Sequence, residues 1–367
     1  MKLNIRQRKV VEAEEPKILC LAAASSGKTR VLTERIKYLI EQKHVAPEGI
    51  VAITFTTAAA EEMKARLGDI CIGAFIGTVH AYASDICIYN GIDTSVFTKQ
   101  FEFNKILERA RVLTSKQFLP VEHILIDECQ DIGPLEYGFL EKIPAKNWFW
   151  VGDDRQMIYG FKGSSLEYLE NLYKDDNYKK YYLVENYRNA PNILSFAEDF
   201  LTSYDPMSPK SVPHKTQKGL IEKCSFDEAL DELEINGSWG DWFILTRTNN
   251  ELAAAQEKLE ERGIPNVTFK RGDLELIELE EIMNSNRVKV LTIHTSKGLE
   301  APNVIVAGAR LYCEEERKIA YVAATRAQSM LYWCPSIAKR YKKGTGMNRK
   351  AEAGRITEKT AQEMVYF

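Results

Sequence analysis

The sequence holds no apolar run long enough to cross a bilayer. Its longest, Ile18 to Ala24, falls far short of the roughly 20 residues a spanning helix needs, and the opening Met1-Lys-Leu-Asn lacks the apolar stretch of a secretory signal. A cytoplasmic protein with no membrane partner is therefore expected. Paired cysteines are missing as well. The seven cysteines, at positions 20, 71, 87, 129, 224, 313 and 334, form an odd, scattered set without a C-x-x-C pair, which argues against a disulfide framework or a zinc ribbon and for a reducing compartment. The five histidines are equally dispersed, none at a metal-ligand spacing from another His or Cys. A basic excess is absent too: 49 Lys and Arg face 52 Asp and Glu, for a formal net charge of −3. Any contact with nucleic acid must then come from a local surface.

What the sequence does contain is apolar mass for more than one core, with 45% hydrophobic and 28% charged residues over 367 positions. At about 150 residues per domain, that length suggests two to three domains. Short apolar runs alternate with longer stretches of helical period, the pattern of an α/β protein with parallel sheets flanked by helices. Strand candidates in the first half are Ile18 to Ala22, Ile50 to Phe55, His123 to Ile126, Phe149 to Val151 and Tyr181 to Val184. A second series comprises Trp242 to Leu245, Val267 to Lys270, Val288 to His294, Val304 to Ala307 and Met330 to Trp333, so two sheets are expected. Between the series, Ser203 to His214 carries three prolines and reads as an exposed linker or long loop. Asp273 to Glu281 reads as a short amphipathic surface helix.

One local element carries phosphate chemistry. Ile18-Leu-Cys-Leu leads into Ala22-Ala-Ala-Ser-Ser-Gly-Lys-Thr and then into helical sequence, which fits a P-loop with Ala22 in place of the first glycine. The small residues Ala24, Ser25, Ser26 and Gly27 let the backbone wrap a polyphosphate, Lys28 adds a point charge, and the Thr29 hydroxyl suits Mg²⁺. ATP or GTP is the ligand these residues predict. The acidic counterpart is Ile124-Leu-Ile-Asp-Glu: Asp127 at a strand end suits the metal ion, and Glu128 suits acceptance of a proton from an attacking water.

With Asp127-Glu-Cys-Gln-Asp joined to Gly152-Asp-Asp-Arg-Gln-Met-Ile-Tyr-Gly-Phe-Lys-Gly, the sequence resembles the UvrD/Rep-type superfamily 1 helicases. Leu3-Asn4 with Gln7 is similar to the family's adenine-reading Q motif, Ile53 to Met63 to motif Ia, and Gly77-Thr-Val-His to motif Ib. Glu185-Asn-Tyr-Arg resembles motif IV, Thr292 to Glu300 motif V, and Tyr321-Val-Ala-Ala-Thr-Arg-Ala motif VI. The motifs follow the family's order from residue 3 to about residue 333.

The resemblance implies two RecA-like domains, 1–184 and 185–367, with the ATP cleft between them, and ATP and Mg²⁺ as cofactors. It implies that Gln7 reads the adenine edge, Tyr187 stacks on its face, Arg30 lies near the phosphates and Gln156 senses the γ-phosphate. Arg188 and Arg326 would act as arginine fingers, and Glu300 would contact the nucleotide from the same side. Phe55, Tyr159 and Phe161 match aromatics along the family's single-strand track, while Thr56, His80, Lys162, Thr292 and His294 match positions near the strand backbone or bases. The bland alternative for these aromatics and histidines is ordinary core packing.

The sequence departs from the family at Ala22, at Thr57-Ala58 in motif Ia, at Cys129 in motif II, and at Met157 and Lys162 in motif III. The loss of a lysine at position 58 removes one possible phosphate contact. The family's two insertions shrink to about 81–120 and 271–287, the look of a near-minimal motor. The last ~30 residues are too short for a nuclease module. Lys339 to Lys350 is basic and suits either a DNA backbone or a solvated end.

The expectation is thus an ATP-dependent helicase or translocase moving 3′ to 5′ on single-stranded or 3′-tailed DNA, in a bacterial cell or a phage-infected host. The alternatives are a translocase that displaces proteins or remodels DNA without unwinding, and a nucleotide-gated DNA-binding module that does not move. RNA remains open as the polymer.

Overall fold

The computed structural model describes residues 2–100, 102–114, 121–202, 204, 206–207, 209–270 and 276–337. The expected basic tail, residues 271–275 of the second reduced insertion and the side chain of Lys162 lie outside the described residues.

Six parallel strands make the first sheet: β1 Lys17–Ala22, β2 Ile50–Thr54, β3 Phe75–Thr78, β4 His123–Ile126, β5 Asn147–Gly152 and β6 Lys179–Leu183, in the order β3-β2-β4-β5-β1-β6. Helices cover both faces, so the inner strands read as continuous apolar runs. Leu19, Leu21, Ile53, Ile124 and Trp150 pack on one face against the helices Val79–Tyr89, Phe103–Leu113, Pro134–Leu140 and Leu166–Lys174. Ile18, Cys20, Ala52, Leu125 and Val151 pack on the other against Ile5–Val11, Lys28–Glu41 and Thr57–Leu67.

A two-stranded link follows, β7 Glu185–Asn186 paired with β8 Val212–Pro213. The second sheet holds β9 Leu220–Lys223, β10 Trp242–Thr246, β11 Asn266–Val267, β12 Val288–Thr292, β13 Ala301–Ala307 and β14 Ala327–Cys334, all parallel, in the order β11-β12-β10-β13-β14-β9. Phe243, Leu245, Val304 and Val306 face the helices Pro191–Glu198 and Glu314–Ala324, and Trp242, Ile244 and Ile305 face Phe226–Asn236 and Asn249–Glu261. The α/β class with two parallel sheets is as the sequence predicts. Among the described residues, no helix is long and apolar enough to cross a membrane.

Several elements differ from expectation. β3 and β9 are additional strands: β3 has four residues and contains Gly77, and β9 is a largely exposed edge, so neither shows a clear apolar run. The strand expected to reach Phe55 stops at Thr54, because Thr56 leaves the sheet to cap the next helix through its Oγ1, 3.2 Å from the Ala59 N–H, and the strand expected to reach His294 stops at Thr292. The expected strand Val267 to Lys270 shrinks to Asn266–Val267. Of the segment 81–120, the described part forms helices whose Tyr82, Ile86, Ile106 and Leu107 complete the first core. The amphipathic helix begins later than expected and runs over Leu276–Asn284. The proline-bearing segment is not a free linker: Val212–Pro213 pairs with the sheet link, and Tyr204 hydrogen-bonds to Asp154.

Candidate nucleotide and nucleic-acid site

The carboxyl ends of β1, β4 and β5 converge on one edge of the first sheet, where an open α/β sheet ordinarily receives a ligand. After β1 the chain turns through Ala23 to Gly27 and enters the helix Lys28–Glu41, whose first N–H groups and positive dipole end face the same edge. Ala22 keeps strand geometry in register with Leu183, so the position where the P-loop pattern has its first glycine needs none. The left-handed residue is Gly27, at φ 91°, and a Cβ there would lie 2.8 Å from Gln7 Nε2. The hydroxyls of Ser25 and Ser26 are buried with no partner in the structure. Together with the 9% exposed Lys28, this is a cradle of donors fitted to an anionic group.

Gln7 sits beneath that cradle. Its Nε2 donates to the Ser26 carbonyl at 2.9 Å, and its Oε1 accepts from the Asn4 N–H at 3.0 Å in a capping box. Asn4 Nδ2 donates to the Tyr187 hydroxyl at 2.5 Å, and the Tyr187 ring lies 4.7 Å from that of His214. Thr29 and Arg30 occupy the first turn of the P-loop helix, both half-buried.

Asp127 follows β4, and its Oδ1 accepts from the Glu128 N–H at 2.9 Å. Burial, then the neighbouring Glu128, pushes the Asp127 carboxyl up to about 7, while Lys28 pulls the other way. A buried carboxyl this hungry for positive charge fits a bound divalent cation. Glu128 adopts a left-handed backbone at φ 49°. Burial acts to raise its carboxyl, but Lys28, Lys297, the Gln130 hydrogen bond and Arg326 outweigh it and bring the group down to about 2. Glu128 is thus an ionised acceptor at neutral pH.

From Glu128 a continuous set of hydrogen bonds crosses to the second sheet. Gln130 Nε2 donates to Glu128 Oε2 at 2.6 Å, the Asp153 N–H donates to Gln130 Oε1 at 2.9 Å, and Gln156 Nε2 donates to Asp153 Oδ2 at 2.6 Å. Arg326 Nη2 then reaches Gln156 Oε1 at 3.4 Å, while its other nitrogens donate to the Val322 and Leu299 carbonyls. Burial, with Arg188 nearby, lowers the Arg326 guanidinium to about 9, which leaves it charged at neutral pH. Arg188 is paired with Glu300 and donates to the Thr325 carbonyl at 3.1 Å; Glu300 also accepts from Gln328 at 2.9 Å.

The residue types alone missed several members of this network. Lys297 donates to Asp131 Oδ2 and, at 2.9 Å, to the Gln156 carbonyl, tying the second sheet to both acidic segments of the first. Asn186 donates to the Ala24 carbonyl at 3.0 Å and Asn189 to the Thr325 and Ala327 carbonyls, so the link between sheets grips the P-loop and the Arg326 segment together. Ala24 and Ile158 belong to the apolar cluster of the second sheet. Lys297 and Asp131 stand inside the motif stretches, and that placement was their one sequence signal.

Beside this network lies a cluster of rings, some of them exposed. Phe55 stacks on Tyr159 at 5.0 Å and 27°, and Phe161, 58% exposed, meets the His294 ring edge-on at 5.3 Å. Tyr159 OH donates to the His294 carbonyl at 3.2 Å, Lys297 lies 5.1 Å from the Tyr159 centroid, and His294 Nε2 is 3.1 Å from the Ile158 carbonyl, which assigns the proton to that nitrogen. Burial, then Arg247, takes His294 down to about 4, so it is neutral at pH 7. The structure therefore brings Phe55, Tyr159, Phe161 and His294 into one cluster. Thr56 acts as a helix cap, Thr292 Oγ1 lies 2.9 Å from Thr295 Oγ1, and His80 packs against Phe103 at 6.1 Å. The backbone of Lys162 belongs to the short turn Gly160–Lys162.

Comparison with known proteins gives the following. Residues 3–114 and 99–177 match the family model described as UvrD/REP helicase N-terminal domain, and residues 270–336 match the UvrD-like helicase C-terminal domain. Among curated proteins, a DNA helicase II of Haemophilus influenzae is 25% identical over 77% of this chain and 53% of its own length. A probable DNA helicase of Mycoplasma pneumoniae is 26% identical over 90% of this chain and 82% of its own. An ATP-dependent DNA helicase PcrA of Staphylococcus aureus is 25% identical over 72% of this chain and 50% of its own. The chain thus spans about half the length of the Haemophilus and Staphylococcus relatives.

Proposed function

The chain belongs to the UvrD/Rep-type helicase family, and from that premise we propose that it is a DNA-dependent ATPase that moves 3′ to 5′ along single-stranded DNA. The observation that carries the reading is the unbroken contact from Glu128 through Gln130, Asp153 and Gln156 to Arg326, with Tyr159 and Phe161 three and five residues beyond Gln156 and Phe55 and His294 packed against them. We read 1–184 and 185–367 as the two lobes and Glu185 to Asn189 as their hinge.

In this reading, ATP is the substrate held by Ala24 to Arg30, with Gln7 and Tyr187 at its base. Mg²⁺, held by Thr29 and Asp127, supplies positive charge to the phosphate oxygens. Glu128 accepts the proton of the attacking water, a role its ionised state suits. Arg326 and Arg188 bring guanidinium charge from the second lobe, a contribution on the order of 10³ to 10⁵ in rate for such fingers. Because Gln156 touches Arg326 and begins the stretch that ends in Phe161, closure on the nucleotide moves the rings on which bases stack. Stacking tolerates any base, in keeping with a motor that reads no sequence.

The shortened insertions favour translocation over duplex opening. A partnered, non-motor DNA-binding module is the second reading. Steady-state ATPase activity with and without single-stranded DNA, then with RNA, decides between motor and module; an unchanged rate in every arm sinks the motor. Strand displacement on duplexes with a 3′ or a 5′ tail then tests polarity and unwinding.

A further inference from the structure

Two charged side chains stand between Asp153 and Gln156 of that network, and both are buried: Asp154 is 0% and Arg155 1% exposed. Removing a charge from water is costly unless fixed dipoles or charges replace the hydration. Part of the replacement comes from Tyr204, Met207 and Pro209 in the proline-bearing segment. Tyr204 OH donates to Asp154 Oδ2 at 2.8 Å, the Met207 N–H donates to the same oxygen at 3.0 Å, and Arg155 Nη2 donates to the Pro209 carbonyl at 3.0 Å. The loop has a second attachment. The Lys318 ammonium, 2% exposed, lies 4.1 Å from the Tyr204 ring centroid, and Lys318 stands on the helix Glu314–Ala324, whose end delivers Arg326.

Asp154 opens the single 3₁₀ turn Asp154–Gln156, so its position fixes that of Gln156 two residues on. The contact that Gln156 makes with Arg326 is already long at 3.4 Å, and a small shift of the turn would lose it. We propose that the loop is a positioning strap: Tyr204 holds Asp154 on the first lobe and Lys318 on the second, and thereby seats Gln156 against Arg326 and sets how strongly DNA accelerates hydrolysis. The inference rests on the motor reading above. Tyr204 and Asp154 act through Gln156 and are positioning residues.

The test uses the full chain carrying Tyr204→Phe, which removes the hydroxyl and keeps the ring for Lys318. Two readouts are taken: ATPase kinetics with and without a thymidine oligonucleotide, and amide hydrogen exchange over residues 153–158. Loss of one hydrogen bond to a buried carboxylate predicts an about tenfold drop in DNA-stimulated kcat, with the KM for ATP and the DNA-free rate unchanged, and faster exchange in the segment. Lys318→Met, which keeps an apolar stem, should lose DNA stimulation in the same direction. Unaltered exchange over 153–158, or undiminished stimulation in Tyr204→Phe, overturns the strap. Absence of DNA stimulation in the unaltered chain overturns the motor reading instead, and is told apart by that chain's own kinetics.

Discussion

The two sides of the cleft are built from different chemistry. On the side of the proposed nucleotide site, charged and amide side chains are buried and locked to one another: Gln130 is 0%, Gln156 3% and Arg326 1% exposed. On the other side, Phe55 and Phe161 stand 37% and 58% exposed, Phe55 stacked on Tyr159 and Phe161 edge-to-face with a neutral histidine. Charge that must stabilise a transferring phosphoryl group works only where geometry is fixed and water excluded. A polymer that must slide needs the reverse, a surface whose attraction is indifferent to the base and renewed at each step. The first side should therefore fail sharply when altered and the second gradually.

The sharpest failure is expected at Glu128. Glu128→Gln keeps size and hydrogen-bonding capacity but cannot take up a proton, so turnover should fall by about 10²- to 10⁴-fold while ATP still binds. Steady-state kinetics beside nucleotide-binding titration separates the two; turnover near the unaltered rate would remove Glu128 from its role.

Next comes the ion pair across the cleft. Asp131 is buried, and burial pushes its carboxyl up to about 6 even with Lys297 opposing it. Lys297→Met leaves that carboxylate without its partner and should cost about 3–5 kcal/mol of stability in urea unfolding. Adding Asp131→Asn should recover most of the loss. If the single substitution is silent, the pair does not hold the lobes together.

That pair also shows where sequence reading stops. The P-loop and Asp127-Glu128 were legible because each lies within one strand-loop stretch whose residue types state their chemistry. Lys297 and Asp131 are 166 residues apart, and nothing local says that they meet. Asn186 stood within the motif-like Glu185-Asn-Tyr-Arg without a stated role and Asn189 went unremarked, although their amides hold carbonyls from both lobes. The sheets were readable from their apolar runs, except where an edge position or a glycine blurred the pattern, as in β9 and β3. The neutral state of His294 depends on burial and on the nearby charge of Arg247, a tertiary property. Likewise, the prolines of 203–214 suggested exposure, and only the buried Asp154 explains why that segment is fastened.

Protonation offers a milder probe of the same contrast. Burial depresses His294 and His123 from 6.5 to about 4 in the folded chain. As pH falls through 6.5 the unfolded chain takes up protons first, so stability should decline progressively between pH 6.5 and 4. His294→Asn should flatten that slope in urea unfolding at a series of pH values; an unchanged slope would mean that the ring titrates normally. DNA affinity above pH 6.5 should show no dependence traceable to His294, since the ring is already neutral there.

The smallest effect is expected at the ring that projects furthest. Phe161 is 58% exposed and meets the rings of His294 at 5.3 Å and Tyr159 at 6.1 Å, so Phe161→Ala should leave the core intact. One stacking platform is worth about 1–3 kcal/mol per base, which predicts a 10- to 100-fold weaker grip on single strands, equal for thymidine and adenosine oligonucleotides. Fluorescence anisotropy with both sequences measures it. Phe55→Ala should cost less, because the Phe55 face is already half covered by Tyr159 and offers a base less area. A sequence-dependent loss at Phe161 would show that the ring recognises a particular base, and the tolerance that sets this side of the cleft apart from the other would then be lost.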